Sequence, residues 1–256
     1  MLDSRILSVQ SLGKAITLHL LGEKQVQALE DVTFDVSDGE FIAVVGLSGS
    51  GKSSLLKCLY RTYLATSGSI LYRTFAGQEV DLASAGEEAI LELRRNEIRY
   101  VPQFLKSAPR LSALDVVARP LVESGHDADF AQSEASRILS ELGIVSELQS
   151  SYPSLFSGGE QQRVNVARAV VAPSRLMLLD EPTSALDAEN RERVFYQLQR
   201  VKHGGSTIIG VFHDRWLLRH LADRVVVMDQ GKVAQIGTRD QVDIARYVGA
   251  ETVPAS

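Results

Sequence analysis

Four short apolar runs stand out along a chain that otherwise mixes polar and apolar positions: Phe41-Ile42-Ala43-Val44-Val45, Ile98-Arg99-Tyr100-Val101, Leu176-Met177-Leu178-Leu179 and Ile208-Ile209-Gly210-Val211-Phe212. Runs of this length set between helical stretches predict buried strands of a parallel sheet. Each is followed by a polar or glycine-rich group: the loop from Gly46, then Gln103, Asp180-Glu181 and His213. Open parallel sheets bind ligands beyond the carboxyl ends of their strands, so all four groups are expected at one crevice.

The rest of the pattern fills in around this sheet. From Ile6 to Phe34 it predicts short strands with a polar interruption around Gly22-Glu23-Lys24-Gln25, and Asp38-Gly39-Glu40 turns the chain into the first core strand. Ser53 to Leu64 is predicted helical, Thr66-Ser67-Gly68-Ser69 a turn before a strand near Ile70 to Arg73, and Glu87 to Arg95 a polar-faced helix. Between Gln103 and Arg168 the character changes. Asp115 to Glu123, Phe130 to Leu142 and Gln161 to Val171 carry helical spacing and β-branched runs are missing, which predicts a helical subdomain over 104–170 inserted into a single domain of 1–256. Ala188 to Lys202 reads as a helix and Asp229-Gln230-Gly231-Lys232 as a tight turn between strands; no accessory domain is expected after Gly237.

Composition narrows the class. The 256 residues are 45% hydrophobic, enough for one large α/β unit with a smaller insertion. A formal net charge of -5 offers no uniformly basic surface for nucleic acid. The single cysteine, Cys58, excludes an internal disulfide and is expected to be a buried core thiol. No apolar run approaches the roughly 18 to 20 residues that span a bilayer, and the N-terminus lacks a basic stretch followed by an apolar one. The chain is therefore expected to be soluble and cytoplasmic, and peripheral if it serves a membrane machine.

Gly46-Leu47-Ser48-Gly49-Ser50-Gly51-Lys52-Ser53 fits G-x-x-x-x-G-K-[ST] in full, following a predicted strand and opening a predicted helix. Glycines let successive backbone N–H groups face phosphate oxygens, Lys52 adds positive charge at the β and γ phosphates, and the Ser53 hydroxyl can reach Mg²⁺. Gly46, Ser48, Gly49, Ser50, Gly51, Lys52, Ser53 and Ser54 are thus the expected ATP-binding residues. Asp180 ends an apolar strand where its carboxylate can reach the metal, directly or through water. Glu181 would act on the water attacking the γ phosphate, as general base or as its orienter. A strand-ending acidic pair facing solvent is common, and only the loop upstream promotes this one. His213 is a candidate γ-phosphate contact, and Gln103 a candidate for the metal or the attacking water; each by itself is an ordinary turn residue.

Ser157-Gly158-Gly159 opens another helix, with a hydroxyl, free N–H groups and the positive end of a helix dipole. A plain cap explains Ser157 but accounts less well for the paired glycines. One chain cannot easily direct two phosphate-binding helix ends at one γ phosphate, whereas a two-fold head-to-tail dimer can. ATP-driven closure, with Ser184-Ala185-Leu186-Asp187 at the interface, is the expectation.

The order of phosphate loop, Gln103, Ser157-Gly158-Gly159, Asp180-Glu181, Ser184 to Asp187 and His213 resembles that of the ATP-binding-cassette ATPases, from about Ile6 to Gly237. The resemblance implies a P-loop NTPase of α/β class with a mainly parallel core sheet, an N-terminal antiparallel β subdomain and the helical insertion. It also implies ATP and Mg²⁺, catalysis through Glu181, His213 and Gln103, metal binding through Ser53, Gln103 and Asp180, and Ser157, Gly158 and Gly159 serving the nucleotide of a dimer partner. One departure is that no Phe, Tyr or Trp precedes Phe34 to stack on adenine. Ile16 stands near that place with His19 close by, and the lost stacking is worth on the order of 1 kcal/mol. Gln103-Phe104-Leu105, Pro109 to Val117, Pro120-Leu121 and Gly210-Val211-Phe212-His213-Asp214 are similar to the L-type ATPase subunits of bacterial carbon-phosphorus lyase systems. That likeness implies partnership with a lyase core complex and a companion cassette subunit, as homo- or heterodimer. Gly68 to Arg95 resembles instead the ATPases of lipoprotein-release or macrolide exporters, which implies a membrane permease gripped near Gln103.

Overall fold

A computed structural model describes residues 4–18, 24–105 and 110–248. Two sheets organise them. The first is antiparallel, β1 (Arg5–Leu18) between β2 (Lys24–Ser37) and β4 (Ser67–Arg73), with β5 (Glu79–Asp81) on its far edge. The second has the order β10-β9-β3-β8-β7-β6, from β3 (Phe41–Val45), β6 (Ile98–Val101), β7 (Leu176–Asp180), β8 (Thr207–Val211), β9 (Arg224–Asp229) and β10 (Lys232–Thr238). Its pairs are parallel from β9 through β6, and β10 alone runs antiparallel.

The apolar runs form central strands because both of their faces are covered. Phe41, Ala43 and Val45 of β3 face one hydrophobic cluster together with Met177, Leu179 and Ile208, while Ile42, Val44, Leu176, Leu178 and Ile209 face the other. The first cluster takes in α3 (Ala113–Glu123), α4 (Ala128–Glu141), α6 (Gly158–Val170), α7 (Ala188–His203) and α8 (Arg215–Leu221). The second takes in α1 (Lys52–Leu59), α2 (Glu87–Asn96) and the antiparallel sheet. The four-residue α5 (Ser146–Gln149) leads toward α6. Full burial of each Leu, Ile or Val side chain contributes about 1.5–3 kcal/mol, so these shared strands hold the two layers together.

Several elements depart from the sequence pattern. The N-terminal region holds two strands of 14 residues each where short strands were expected. Register shifts along β1 and left-handed backbone at Ser11 (φ 46°) and Asp31 (φ 51°) break the alternation that would betray their length. The first helix stops at Leu59 and not at Leu64, because Arg61 turns left-handed (φ 65°), held there by hydrogen bonds to Leu82 O and Ala85 O. Helix α8 has no counterpart in the sequence reading; Asp214 caps it, accepting from Trp216 N and Leu217 N. On α8, Trp216 packs against Phe195 of α7 (4.6 Å). The β9–β10 connection is a two-residue turn with Gln230 (φ 44°) and Gly231 (φ 80°) both left-handed, the primed geometry that hairpins favour.

Cys58 is fully buried on α1, and burial pushes its thiol up to about 11. Among the described residues no helix is long and apolar enough to cross a membrane. His19 and Pro109 lie outside the described residues.

Candidate functional site

β3 delivers the chain into the glycine-rich loop. Gly46 (φ +148°) lies so close to β9 that an added Cβ would sit 2.2 Å from Met228 O, and at Gly51 (φ +102°) it would sit 2.6 Å from Ala28 O. Glycine alone tolerates either position. The loop wraps Lys52, whose Nζ donates to Gly46 O at 2.8 Å and Leu47 O at 2.9 Å. Burial lowers the Lys52 pKa, against the opposing pull of Glu181 and Asp180. A phosphate beside it would favour the charged ammonium again. Within the same loop the Ser50 hydroxyl is buried without a hydrogen-bond partner among the described residues. A phosphate oxygen is the kind of acceptor that such an orphaned donor lacks.

Asp180 closes β7 almost wholly buried. Its Oδ1 accepts from Ser53 Oγ at 2.9 Å and its Oδ2 from the Tyr100 hydroxyl at 3.2 Å. Burial raises the Asp180 pKa while those two hydrogen bonds oppose the rise. Among the described residues there is no group of three or more His, Cys, Asp or Glu able to hold a metal ion. One carboxylate and one hydroxyl facing a phosphate loop suit Mg²⁺, which keeps waters and takes substrate phosphate oxygens and so needs no all-protein cage.

Glu181 adopts a left-handed backbone (φ 53°), a conformation that costs a non-glycine residue roughly 1–3 kcal/mol. Its amide donates to Val211 O at 3.1 Å, and its carbonyl accepts from Ser184 Oγ at 3.2 Å and Gln162 Nε2 at 3.4 Å. These bonds offset the strain and turn the side chain out of the sheet. Its carboxylate is then bracketed, Oε1 by His213 Nε2 at 3.0 Å and Oε2 by Gln103 Nε2 at 3.1 Å. His213 is positioned in turn by its neighbour Asp214, which caps α8 and pairs with Arg191 of α7 at 2.7 Å.

The residues singled out at the ends of β3, β6, β7 and β8 thus converge. Ser48, Gly49, Gly51, Lys52, Ser53, Ser54, Gln103, Glu181 and His213 line one cleft of about 420 Å³ together with Val26, Gln27 and Ala28 of β2. Gln103 reaches Glu181, while Asp180 is engaged by Ser53 and Tyr100. Ser157, Gly158 and Gly159 do not line this cleft. Ser157 caps α6 in a reciprocal arrangement: its Oγ accepts from Glu160 N, and Glu160 Oε2 accepts from Ser157 N at 2.8 Å.

Four contributors escaped the sequence reading. Tyr100, Gln162 and Arg191 act through hydrogen bonds made across the fold, which no local spacing announces. Val26 reaches the cleft because β2 returns beside β1, with Ile16 opposite it in the register.

A family profile described as ABC transporter matches residues 29–184. The chain is 39% identical over 236 residues to the macrolide export ATP-binding/permease protein MacB of Bradyrhizobium diazoefficiens, a match covering 92% of this chain and 35% of that protein. It is 35% identical over 212 residues to the glutamine transport ATP-binding protein GlnQ of Escherichia coli K12, covering 82% of this chain and 85% of the relative. The chain thus spans about a third of the length of the MacB relative. Among solved structures, the ATP-binding cassette MJ0796, a dimer in a post-hydrolysis state bound to ADP and Pi, superposes with a TM-score of 0.82 at 26% identity, covering 91% of this chain and 98% of that one.

Proposed function

From the premise that the chain belongs to the ABC transporter family, as an ATP-hydrolysing cassette that binds ATP with Mg²⁺, we propose that it is the motor of an exporter-type transport system. In this reading it works on the cytoplasmic side with a membrane permease. The observation that carries it is the 39% identity to MacB across 92% of the chain, well beyond the shared nucleotide motifs.

The proposed division of labour follows the geometry. The backbone of Gly46, Ser48, Gly49, Ser50, Gly51 and Ser54 cradles the phosphates, and Lys52 leaves its two loop carbonyls to meet the β and γ oxygens. Ser53 and Asp180 would hold Mg²⁺, which when bound would neutralise phosphate charge, and Gln103 lines the same cleft as Ser53. Glu181 takes the proton of the attacking water, and His213 and Gln103 keep its carboxylate aimed at that water. Ser157, Gly158 and Gly159 of a second copy complete the γ-phosphate site on closure, which requires the Ser157–Glu160 cap to open toward the nucleotide. Val26 supplies an aliphatic surface to the base where an aromatic ring is absent.

Service to a carbon-phosphorus lyase complex is the second reading, and it rests on the stretches around Gln103 to Leu105 and Arg110 to Leu121. Phe212, which counted toward it, is a fully buried core residue packed at a tilt against Phe41 (ring centroids 5.6 Å apart) and wedged against Gly210. Its identity is therefore accounted for by packing. MacB is named for macrolide export and GlnQ for glutamine transport, which favours service to a transporter over service to a lyase complex; the export reading itself leans on MacB.

Affinity purification of tagged Glu181→Gln protein from its host, grown on a phosphonate as phosphorus source with Mg²⁺ and ATP in the lysate, separates the two. A polytopic membrane permease is the expected co-purifying protein. Recovery of soluble lyase-core subunits without a permease would overturn the exporter assignment.

A further inference from the structure

Strand geometry delivers a tyrosine to Asp180, the carboxylate proposed to hold Mg²⁺. β6 and β7 run parallel with Tyr100 opposite Leu178. Side chains alternate along a strand, so Tyr100 shares a sheet face with Leu178 and, one step further along β7, with Asp180. Helix α1 packs on the same face: Leu55 and Leu56 join Ile98, Leu176 and Leu178 in one cluster, with Tyr100 packed against it. Ser53, in the first turn of α1, and Tyr100 of β6 therefore reach Asp180 from different elements and on different oxygens. Ser53 Oγ donates to Oδ1 at 2.9 Å, and the Tyr100 hydroxyl donates to Oδ2 at 3.2 Å.

Tyr100 is itself held in place. Its ring lies tilted against that of Tyr60, the residue that ends α1, with centroids 4.9 Å apart. The Arg94 guanidinium of α2 lies over the Tyr60 ring at 4.4 Å, and its Nε and Nη2 donate to Tyr60 O at 3.0 and 2.6 Å. Arg94, Tyr60 and Tyr100 thus stack in sequence and set the direction of the Tyr100 hydroxyl. A carboxylate turns about its Cβ–Cγ bond unless both oxygens are engaged. Hydrogen bonds from outside the coordination sphere orient metal-holding carboxylates, and loss of such a partner typically costs about 10- to 100-fold in metal affinity. Ser53 already has a task at the ion in the proposed division of labour, whereas the Tyr100 hydroxyl touches only the carboxylate. A Phe on β6 would fill the same space against Tyr60, so packing accounts for the ring and leaves the hydroxyl to be explained.

We infer that Tyr100 is a positioning residue for Mg²⁺: its hydroxyl fixes the plane of the Asp180 carboxylate, so that the oxygen beside Ser53 is presented to the ion, and thereby sets how strongly Mg²⁺ tightens ATP binding. The inference rests on the reading of Ser53 and Asp180 as the metal-holding pair and adds the residue that orients it.

The test is equilibrium binding of a fluorescent ATP analogue to the full chain, in Mg²⁺ and in EDTA, for the parent, Tyr100→Phe and Tyr72→Phe. Tyr72→Phe is the control: it removes another buried tyrosine hydroxyl from a carboxylate, that of Glu97 at 2.8 Å, and Tyr72 does not line the nucleotide cleft. Mg²⁺ should tighten binding to the parent. In Tyr100→Phe that gain should shrink by about tenfold or more, while affinity in EDTA stays within about twofold of the parent. Raising Mg²⁺ should recover the lost affinity, and Tyr72→Phe should keep the gain of the parent. Affinity in EDTA also checks that Tyr100→Phe folds. A gain in Tyr100→Phe equal to that of the parent would overturn the inference. So would an equal loss in EDTA, an equal loss in Tyr72→Phe, or binding that stays weak at every Mg²⁺ concentration, since each would make the hydroxyl merely structural. Absence of any Mg²⁺ gain in the parent would overturn the metal reading of Ser53 and Asp180 itself, and this inference with it, before any variant is compared.

Discussion

Replacing Glu181 by Gln is expected to slow ATP hydrolysis by roughly 10²- to 10⁴-fold, the usual contribution of a positioned general base, while ATP affinity stays near that of the parent. The substitution conserves volume and leaves the left-handed backbone at this position fixed by Val211 O, Ser184 and Gln162. The introduced side-chain carbonyl can still accept from Gln103 Nε2, and the introduced amide can donate to His213 Nε2 in the tautomer that accepts there. What disappears is the charge and the ability to take a proton. Phosphate release under single-turnover conditions is the direct readout. Turnover equal to that of the parent would remove Glu181 from the chemistry and leave its bracketing by His213 and Gln103 without a catalytic purpose.

Lys52→Ala should act one step earlier. The ammonium is buried and held by Gly46 O and Leu47 O, an arrangement that shapes the loop as well as charging it. Removing one member of a buried, hydrogen-bonded charge pair costs about 2–5 kcal/mol, so ATP affinity should fall by roughly 30- to 5000-fold. Equilibrium binding of a fluorescent ATP analogue with Mg²⁺ measures this without reference to hydrolysis. Binding as tight as that of the parent would show that the loop amides suffice and that Lys52 has another role.

These two expectations draw on residues that the sequence made visible, and the reason is physical. Strands β3, β7 and β8 are buried on both faces, so each reads as a short, mainly apolar run with its functional group at or just beyond its carboxyl end. Pattern and chemistry coincide there. The antiparallel sheet was less legible because bulges and left-handed residues at Ser11 and Asp31 interrupt the alternation of β1 and β2. The short α8 hides behind Asp214, whose capping bonds form only in the folded chain. The left-handed Glu181 is likewise invisible, since its backbone is set by Val211, Ser184 and Gln162, and Tyr100 meets Asp180 only because β6 lies beside β7 in parallel register. Ser157 is the opposite case. Its local reading as a helix cap is what the single chain displays, and any role at a nucleotide depends on a second copy.

That dependence makes the composite site the central claim. The most direct measurement is size-exclusion chromatography with light scattering of Glu181→Gln, with and without Ser157→Arg, in the presence of Mg²⁺ and ATP. Glu181→Gln alone should run as an ATP-dependent dimer, and the added Ser157→Arg should return it to monomer while single-chain ATP binding persists. An ATP-dependent dimer that forms equally well with Ser157→Arg would contradict the head-to-tail arrangement.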